Sequence, residues 1–203
     1  MATNFYLYHY CQVMRKLLNK LVYSATSSTL GNKGNDKNLS PYAFTKSKNL
    51  ELLENLKKWF KLRFEIIYFY NVYGEKQIEH GPMATVIGIF QHQYNNNKPL
   101  TVVKPGTQTR RFTHIKDTIS VCFEAWKKNK CSYYSISHKK AYSVHEVARM
   151  FNSKIKFLKP RLGERYASAL TKISQKNHII RRYGKINLKD YITSFIKDKI
   201  YEN

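Results

Sequence analysis

The chain has 203 residues, 42% of them hydrophobic, and carries 36 lysines and arginines against 13 acids, a net charge of +23. That length suits one sizeable domain, or one domain plus a small lobe, and the apolar content is enough for a buried core. The charge excludes a surface indifferent to polyanions and points to nucleic acid, anionic lipid or phosphorylated metabolites.

Residues 4–18 read as a helix. Asn19 to Ser24 is a short apolar strand that opens onto a hydroxyl-rich loop, A-T-S-S-T-L-G. Asn32 to Leu39 is polar and reads as a surface loop. Ser40 can cap a helix whose first position suits Pro41, and the run that follows, to Phe60, has helical spacing. Tyr42 and Lys46 share one face of that helix. An ammonium beside a phenol favours the phenolate, which can then exchange a proton with a hydroxyl near neutral pH. On spacing alone, in a chain rich in both residues, a surface pair is the plainer reading. Residues 63–69 form a strand apolar enough to be covered on both faces, as in a parallel sheet. Strand, helix and strand make an α/β unit with a right-handed crossover. The sequence Y-N-V-Y-G ends that strand. Pro82 is expected to open a helix that Asn95 to Asn97 terminate. A strand at Leu100 to Val103, a turn at Pro105 and Gly106, and an extended piece at Arg111 to His114 follow. Residues 116–128 read as helix and Tyr133 to Ile136 as strand. A capping box of Ser143 and Glu146 opens a helix over Val144 to Phe151. Ile155 to Leu158 is a strand, and helices near 169–182 and 188–200 close the chain.

Ligands of open α/β sheets bind beyond the carboxyl ends of the strands. Thr26, Ser27 and Ser28 follow the first strand, Asn71, Tyr73 and Gly74 follow the second, and the Tyr42 helix starts between them. All three can meet in one crevice, where Thr26 and Tyr42 could grip one substrate oxygen. That convergence favours chemistry over a surface pair. Arg110, Arg111 and Arg161 offer forked donors suited to a diphosphate, with a solvated basic surface as the competing reading. The seven histidines show no metal-ligand grouping, and Trp59 and Trp126 read as packing residues. Cys11, Cys122 and Cys131, odd in number and without C-x-x-C spacing, predict reduced thiols in a cytoplasmic protein. No segment has the length of a membrane span, and the first ten residues lack the form of a signal peptide.

Five motifs in order, S-A-T-S-S-T-L-G, S-P-Y-A-F-T-K, I-I-Y-F-Y-N-V-Y-G, P-L-T-V-V-K-P-G-T-Q-T-R-R-F-T-H-I-K-D and P-R-L-G-E-R, resemble the extended short-chain dehydrogenase/reductase family. The branch they are most similar to is the NAD-dependent epimerases and dehydratases of nucleotide sugars, the UDP-glucose 4-epimerase type in particular. The resemblance implies an α/β fold: the C-terminal part of a Rossmann-like parallel sheet with a small α/β substrate-binding lobe. It divides the chain into a partial Rossmann-like catalytic region over 1–80 and a mainly substrate-binding lobe over 81–203, with segments returning to the core. It implies Thr26, Tyr42 and Lys46 as catalytic, with Tyr42 and Lys46 also meeting the nicotinamide end of NAD. It implies Ser27, Ser28, Asn71, Arg110 and Arg161 as substrate-binding. Ser27 and Ser28 stand where the dehydratases commonly carry Asp-Glu, so the epimerase reading is preferred, with dehydratase or reductase as the alternative.

The departures from that pattern are specific. The family opens with a glycine-rich turn that receives the pyrophosphate, and this chain has no glycine before Gly31. It resembles the family from about a hundred residues in. Tyr68 stands where relatives carry arginine, and Arg111 where they carry aspartate. The expectations are therefore weak NAD binding by this chain alone, and a gene fragment, a truncation or a separate polypeptide supplying the other half. Its first strand should expose an unpaired edge, which also leaves a homo-oligomer open. A different class, a non-enzymatic basic protein binding nucleic acid on an epimerase scaffold, draws its support from the charge.

Overall fold

The computed structural model describes residues 21–30, 38, 40–81, 83–160 and 179–202. The helix expected over 4–18, most of the 32–39 loop, Arg161 and the start of the helix near 169–182 lie outside them.

Four parallel strands form the main sheet: β1 (Val22–Thr26), β2 (Glu65–Phe69), β7 (Tyr133–Ser137) and β10 (Ile179–Tyr183), side by side in that order. The expected first strand thus runs on through Ala25 and Thr26 before a 3-10 turn at Ser27–Leu30. Residues 179–182, expected to be helical, are strand β10 instead. Ile179 and Ile180 pair with Tyr133 and Tyr134, and the β-branched side chains pack on both faces of the sheet.

Helix α1 (Pro41–Phe60) connects β1 to β2. Ser40 caps it by accepting the Ala43 amide at 3.2 Å, and Lys61, in the left-handed region, closes it. It covers one face of the sheet, where Leu53, Phe64 and Ile66 pack. Helix α3 (Ile115–Lys128) covers the other, with Val121 and Ala125 on Ile67, Tyr134 and Ile136. Full burial of each large aliphatic side chain there contributes about 1.5–3 kcal/mol. Among the described residues, no helix is long and apolar enough to cross a membrane. Cys122 and Cys131 are free thiols.

A second cluster lies beside the sheet. It joins β3 (Val72–Tyr73), α2 (Val86–Asn95), β4 (Leu100–Val103), β5 (Thr109–Arg111), β6 (Thr113–His114), β8 (Ala141–Ser143), α4 (Val144–Met150), β9 (Ile155–Leu158) and α5 (Leu188–Glu202). Three two-stranded ladders, β3 with β6, β4 with β9 and β5 with β8, frame it. The expected capping box is present, with Ser143 accepting the Glu146 amide and Glu146 accepting that of Ser143. Helix α2 opens at Val86, later than the expected start. Thr85 stands at its cap in extended backbone, its hydroxyl donating to Gln77.

Glu124 of α3 and Arg182 of β10 form a forked pair at 2.5 and 2.9 Å, which draws the Glu124 carboxyl from its ordinary 4.5 down to about 2. A folded-state pKa that is depressed stabilises the fold fully above the ordinary carboxylate range. The gain is lost as pH falls from about 4.5 towards 2. Both side chains keep some solvent contact, so the pair contributes on the order of 1 kcal/mol. Arg182→Met should cost that much in urea unfolding at neutral pH and almost nothing at pH near 2. An equal cost at both pH values would contradict the assignment.

Candidate functional site

β1 and β2 run parallel with Thr26 level with Phe69, so Thr26 and Asn71 both stand at the carboxyl end of the sheet. Thr26 is held in a hydroxyl turn: its Oγ1 donates to Ser28 Oγ at 3.3 Å and accepts the Ser28 amide at 3.2 Å, while its carbonyl accepts from Thr29 Oγ1 at 2.8 Å. Ser27 is buried beneath that turn.

Lys46 fixes the height of α1 against the sheet. Its ammonium donates to the Ser24 carbonyl at 3.1 Å and lies 5.2 Å from the Tyr23 ring centre. Because α1 follows β1, it runs back along the sheet. Tyr42 lies four residues, ~6 Å, nearer the helix start than Lys46. Thr26 lies two residues, ~6–7 Å, beyond Ser24 along the strand. Both steps run towards the carboxyl end of β1, so the start of α1 and the Thr26 turn lie at the same end of the sheet. The Tyr42 side chain is half exposed there. Among the described residues no hydrogen bond reaches its hydroxyl, and the Lys46 ammonium is engaged one turn away at the strand edge.

Asn71 has φ 34°, a left-handed conformation that asparagine tolerates, and it turns the chain from β2 into β3. Its side-chain amide donates to the Arg111 carbonyl at 2.9 Å. That bond ties the end of β2 to β5 and so positions Arg110. Beside them opens a cleft of about 300 Å³ whose lining includes Asn71, Thr85, Phe90, Thr101, Gln108 and Arg110. Its walls are apolar and its few polar groups converge, the usual make-up of a small-molecule site. Arg111 does not join it. The Arg111 guanidinium donates to the carbonyls of His138 and Lys139 and so braces a loop, which corrects the expectation that it would help clamp a ligand. Arg161 lies outside the described residues.

Gln108 is a residue the sequence did not flag. It is buried, its amide nitrogen donates to the Val103 carbonyl at 3.0 Å, and among the described residues its carbonyl oxygen has no hydrogen-bond partner. A buried acceptor left unmatched at a cleft wall is costly unless a ligand supplies a donor. Nothing but its place in G-T-Q-T-R could have signalled it.

A larger recess of about 630 Å³ sits at the amino ends of β4 and β9, bounded by Lys98, Lys154 and Lys199. It lies away from the strand ends that carry Thr26 and Asn71, and its lining holds no carboxylate or histidine. Among the described residues no group of three metal-ligating side chains occurs.

The model of the NAD dependent epimerase/dehydratase family matches residues 4–137, about two thirds of the chain. The chain belongs to the NAD-dependent epimerase/dehydratase family. A protein of Methanocaldococcus jannaschii, provisionally named a UDP-glucose 4-epimerase, is 29% identical over 173 residues, covering 76% of this chain and 55% of its own length. The solved UDP-N-acetylglucosamine 4-epimerase of Methanobrevibacter ruminantium, in complex with UDP-N-acetylmuramic acid, superposes over all of this chain and 69% of that one, with a TM-score of 0.77 at 19% identity. The UDP-glucuronic acid 4-epimerase of Bacillus cereus, solved with UDP-glucuronic acid and NAD, covers 93% of this chain and 65% of that one, with a TM-score of 0.72 at 25% identity. These likenesses establish the Rossmann-like α/β fold of the epimerases. The chain spans about half the length of the curated relatives it matches.

Proposed function

We propose that this chain is the catalytic and substrate-binding portion of a nucleotide-sugar 4-epimerase of the UDP-glucose type, silent without the portion that binds the nicotinamide dinucleotide. One observation supports the reading: the Lys46–Ser24 hydrogen bond holds the start of α1 against the end of β1, at the end of the sheet where the Asn71–Arg110 cleft opens. In this assignment Arg110 holds the diphosphate, with Arg161 as its expected second arm, and Gln108 lines the cleft wall beside it. The sugar then extends towards Thr26, whose hydroxyl donates to the sugar oxygen while Tyr42 accepts its proton. Ser27 and Ser28 shape the turn that holds Thr26. Ser27 and Ser28, in place of an acidic pair, support epimerisation over dehydration.

The residues of this chain do not fit a whole NAD. Tyr42 and Lys46 suit its nicotinamide end, but the Lys46 ammonium is committed to Ser24, and none of the eight glycines forms a Gly-x-x-Gly-x-x-Gly turn. The redox step therefore belongs to the assembled protein.

Calorimetric titration of the 203-residue chain with UDP tests the cleft. Saturable binding is expected, and Arg110→Ala should weaken it roughly 10- to 100-fold, the loss of a charged hydrogen bond. Undiminished binding by the variant, or no binding by either protein, would remove the assignment. The charge of +23 supports a second reading, a polyanion-binding protein. It predicts retention of DNA on filters that falls steeply with salt, and no retention at low salt would dismiss it.

A further inference from the structure

The recess of about 630 Å³ at the amino ends of β4 and β9 takes no part in the proposed chemistry. Strand β4 separates it from the cleft: Pro99, just before the strand, lines the recess, while Thr101 and Val103 line the cleft. Tyr94, packed on Phe151 and Phe195, gives the recess a fixed wall. Lys98, Lys154 and Lys199 border it, and Asn95, Asn97 and Asn152 share the lining.

The fold holds two of these cations on adjacent chains. Lys98 and Lys154 lead into paired strands: Leu100 is level with Ile155, and its amide donates to the Lys154 carbonyl at 2.8 Å. Neighbouring strands lie ~5 Å apart, so both lysines stand at one end of the same ladder. The ordinary use of lysine at such a place is to complement the carbonyl ends of helices. Here those carbonyls are already occupied. At the end of α2 the carbonyls of His92, Gln93 and Tyr94 accept the amides of Asn96, Lys98 and Asn97, at 3.2, 2.8 and 3.0 Å. At the end of α4 those of Ala148 and Arg149 accept the amides of Phe151 and Asn152, each at 3.2 Å. Among the described residues no carboxylate lines the recess, and no ion pair involves Lys98 or Lys154. Acids are near but placed elsewhere. Asp198 of α5 lines a separate recess with Glu75 and Glu79, while its neighbour Lys199 lines this one. The positive charge here is a local arrangement, beyond the chain's general excess of lysine.

We infer that this recess binds a small metabolite carrying two or more phosphate groups, at a site separate from the substrate cleft. Lysine ammonium groups meet phosphate oxygens as point charges, and asparagine amides can donate to the remaining oxygens. The volume suits a ligand of nucleotide size. A nucleic-acid strand is a poorer fit, because it needs a groove of cations that tracks its backbone, whereas these gather in one hollow. Occupation of this site does not depend on the epimerase reading.

The test titrates sodium triphosphate into the nitrogen-15-labelled 203-residue chain at constant ionic strength. Saturable amide shifts are expected at Asn97, Lys98, Ser153 and Lys154. Lys98→Glu with Lys154→Glu should weaken binding roughly tenfold or more. Lys130→Glu with Lys189→Glu, an equal change of charge at exposed sites elsewhere, should leave it within about twofold. Circular dichroism checks that each variant is folded. Shifts scattered over exposed lysines without saturation, shifts confined to the Arg110 cleft, or equal losses in the two paired variants overturn the inference. So does a short oligothymidylate strand that displaces triphosphate at equal phosphate concentration, since it would give the recess to nucleic acid. Arg110→Ala is expected to weaken UDP binding in the cleft and to keep the recess shifts, so a failed recess and a failed substrate assignment give different results.

Discussion

Tyr42→Phe, in the chain assembled with its nucleotide-binding portion, is expected to lower turnover by roughly 10³-fold, the usual range for loss of a positioned acid/base group. The affinity for the nucleotide sugar should change by less than about twofold, because the phenol is asked to move a proton and the diphosphate contacts lie elsewhere. The bond between Lys46 and Ser24 holds the start of α1, which carries Tyr42, against the strand that ends in Thr26. Thr26→Val, which keeps the β-branched shape, should reproduce much of the loss. Steady-state turnover of a UDP-sugar, with product resolved by chromatography, is the measurement. Turnover within a factor of a few of the unsubstituted protein would end the acid/base assignment.

Glu65→Leu is expected to destabilise the fold by about 2–5 kcal/mol, the cost of orphaning two partly buried amides. Glu65 is 1% exposed, and its two carboxylate oxygens accept the amides of Cys131 and Ser132, each at 2.7 Å. Those residues lead into β7, and the Ile66 amide donates to the Ser132 carbonyl at 3.1 Å. One acid at the start of β2 thus fixes where β7 enters the sheet. Glu65→Gln retains one acceptor but turns an NH₂ towards the second amide, so an intermediate loss is expected. Urea unfolding monitored by circular dichroism gives both values. A Leu variant as stable as the unsubstituted chain would show that the two amides find other partners.

Where local chemistry is strong, the sequence and the fold agree. Ser40 and Pro41 start α1 where expected, and the Ser143–Glu146 box starts α4. The central run of β2 reads as a strand buried on both faces, and Ile66 and Ile67 are fully buried. Agreement fails where pairing overrides the local signal. The basic I-I-R-R-Y of β10 joins a sheet because β7 offers an edge. Strands β5 and β8, three residues each, are too short to show a period, and β8 was not expected. Ala25 and Thr26 read as loop because small hydroxyl residues follow, yet β2 extends alongside them. At the site, the order of Thr26, Tyr42, Lys46 and Asn71 was legible. The engagement of Lys46 at Ser24, the diversion of Arg111 to a loop and the unmatched acceptor of Gln108 depend on contacts between residues distant in sequence or on the space beside them.

The most direct measurement is a nitrogen-15 correlation spectrum of the labelled 203-residue chain, titrated with UDP-glucose. The largest amide shifts are expected at Asn71, Thr85, Gln108 and Arg110, with smaller ones at Thr26 and Ser28 as the sugar reaches the end of β1. Shifts confined to the recess around Lys98, Lys154 and Lys199, or a spectrum unchanged by the ligand, would contradict it.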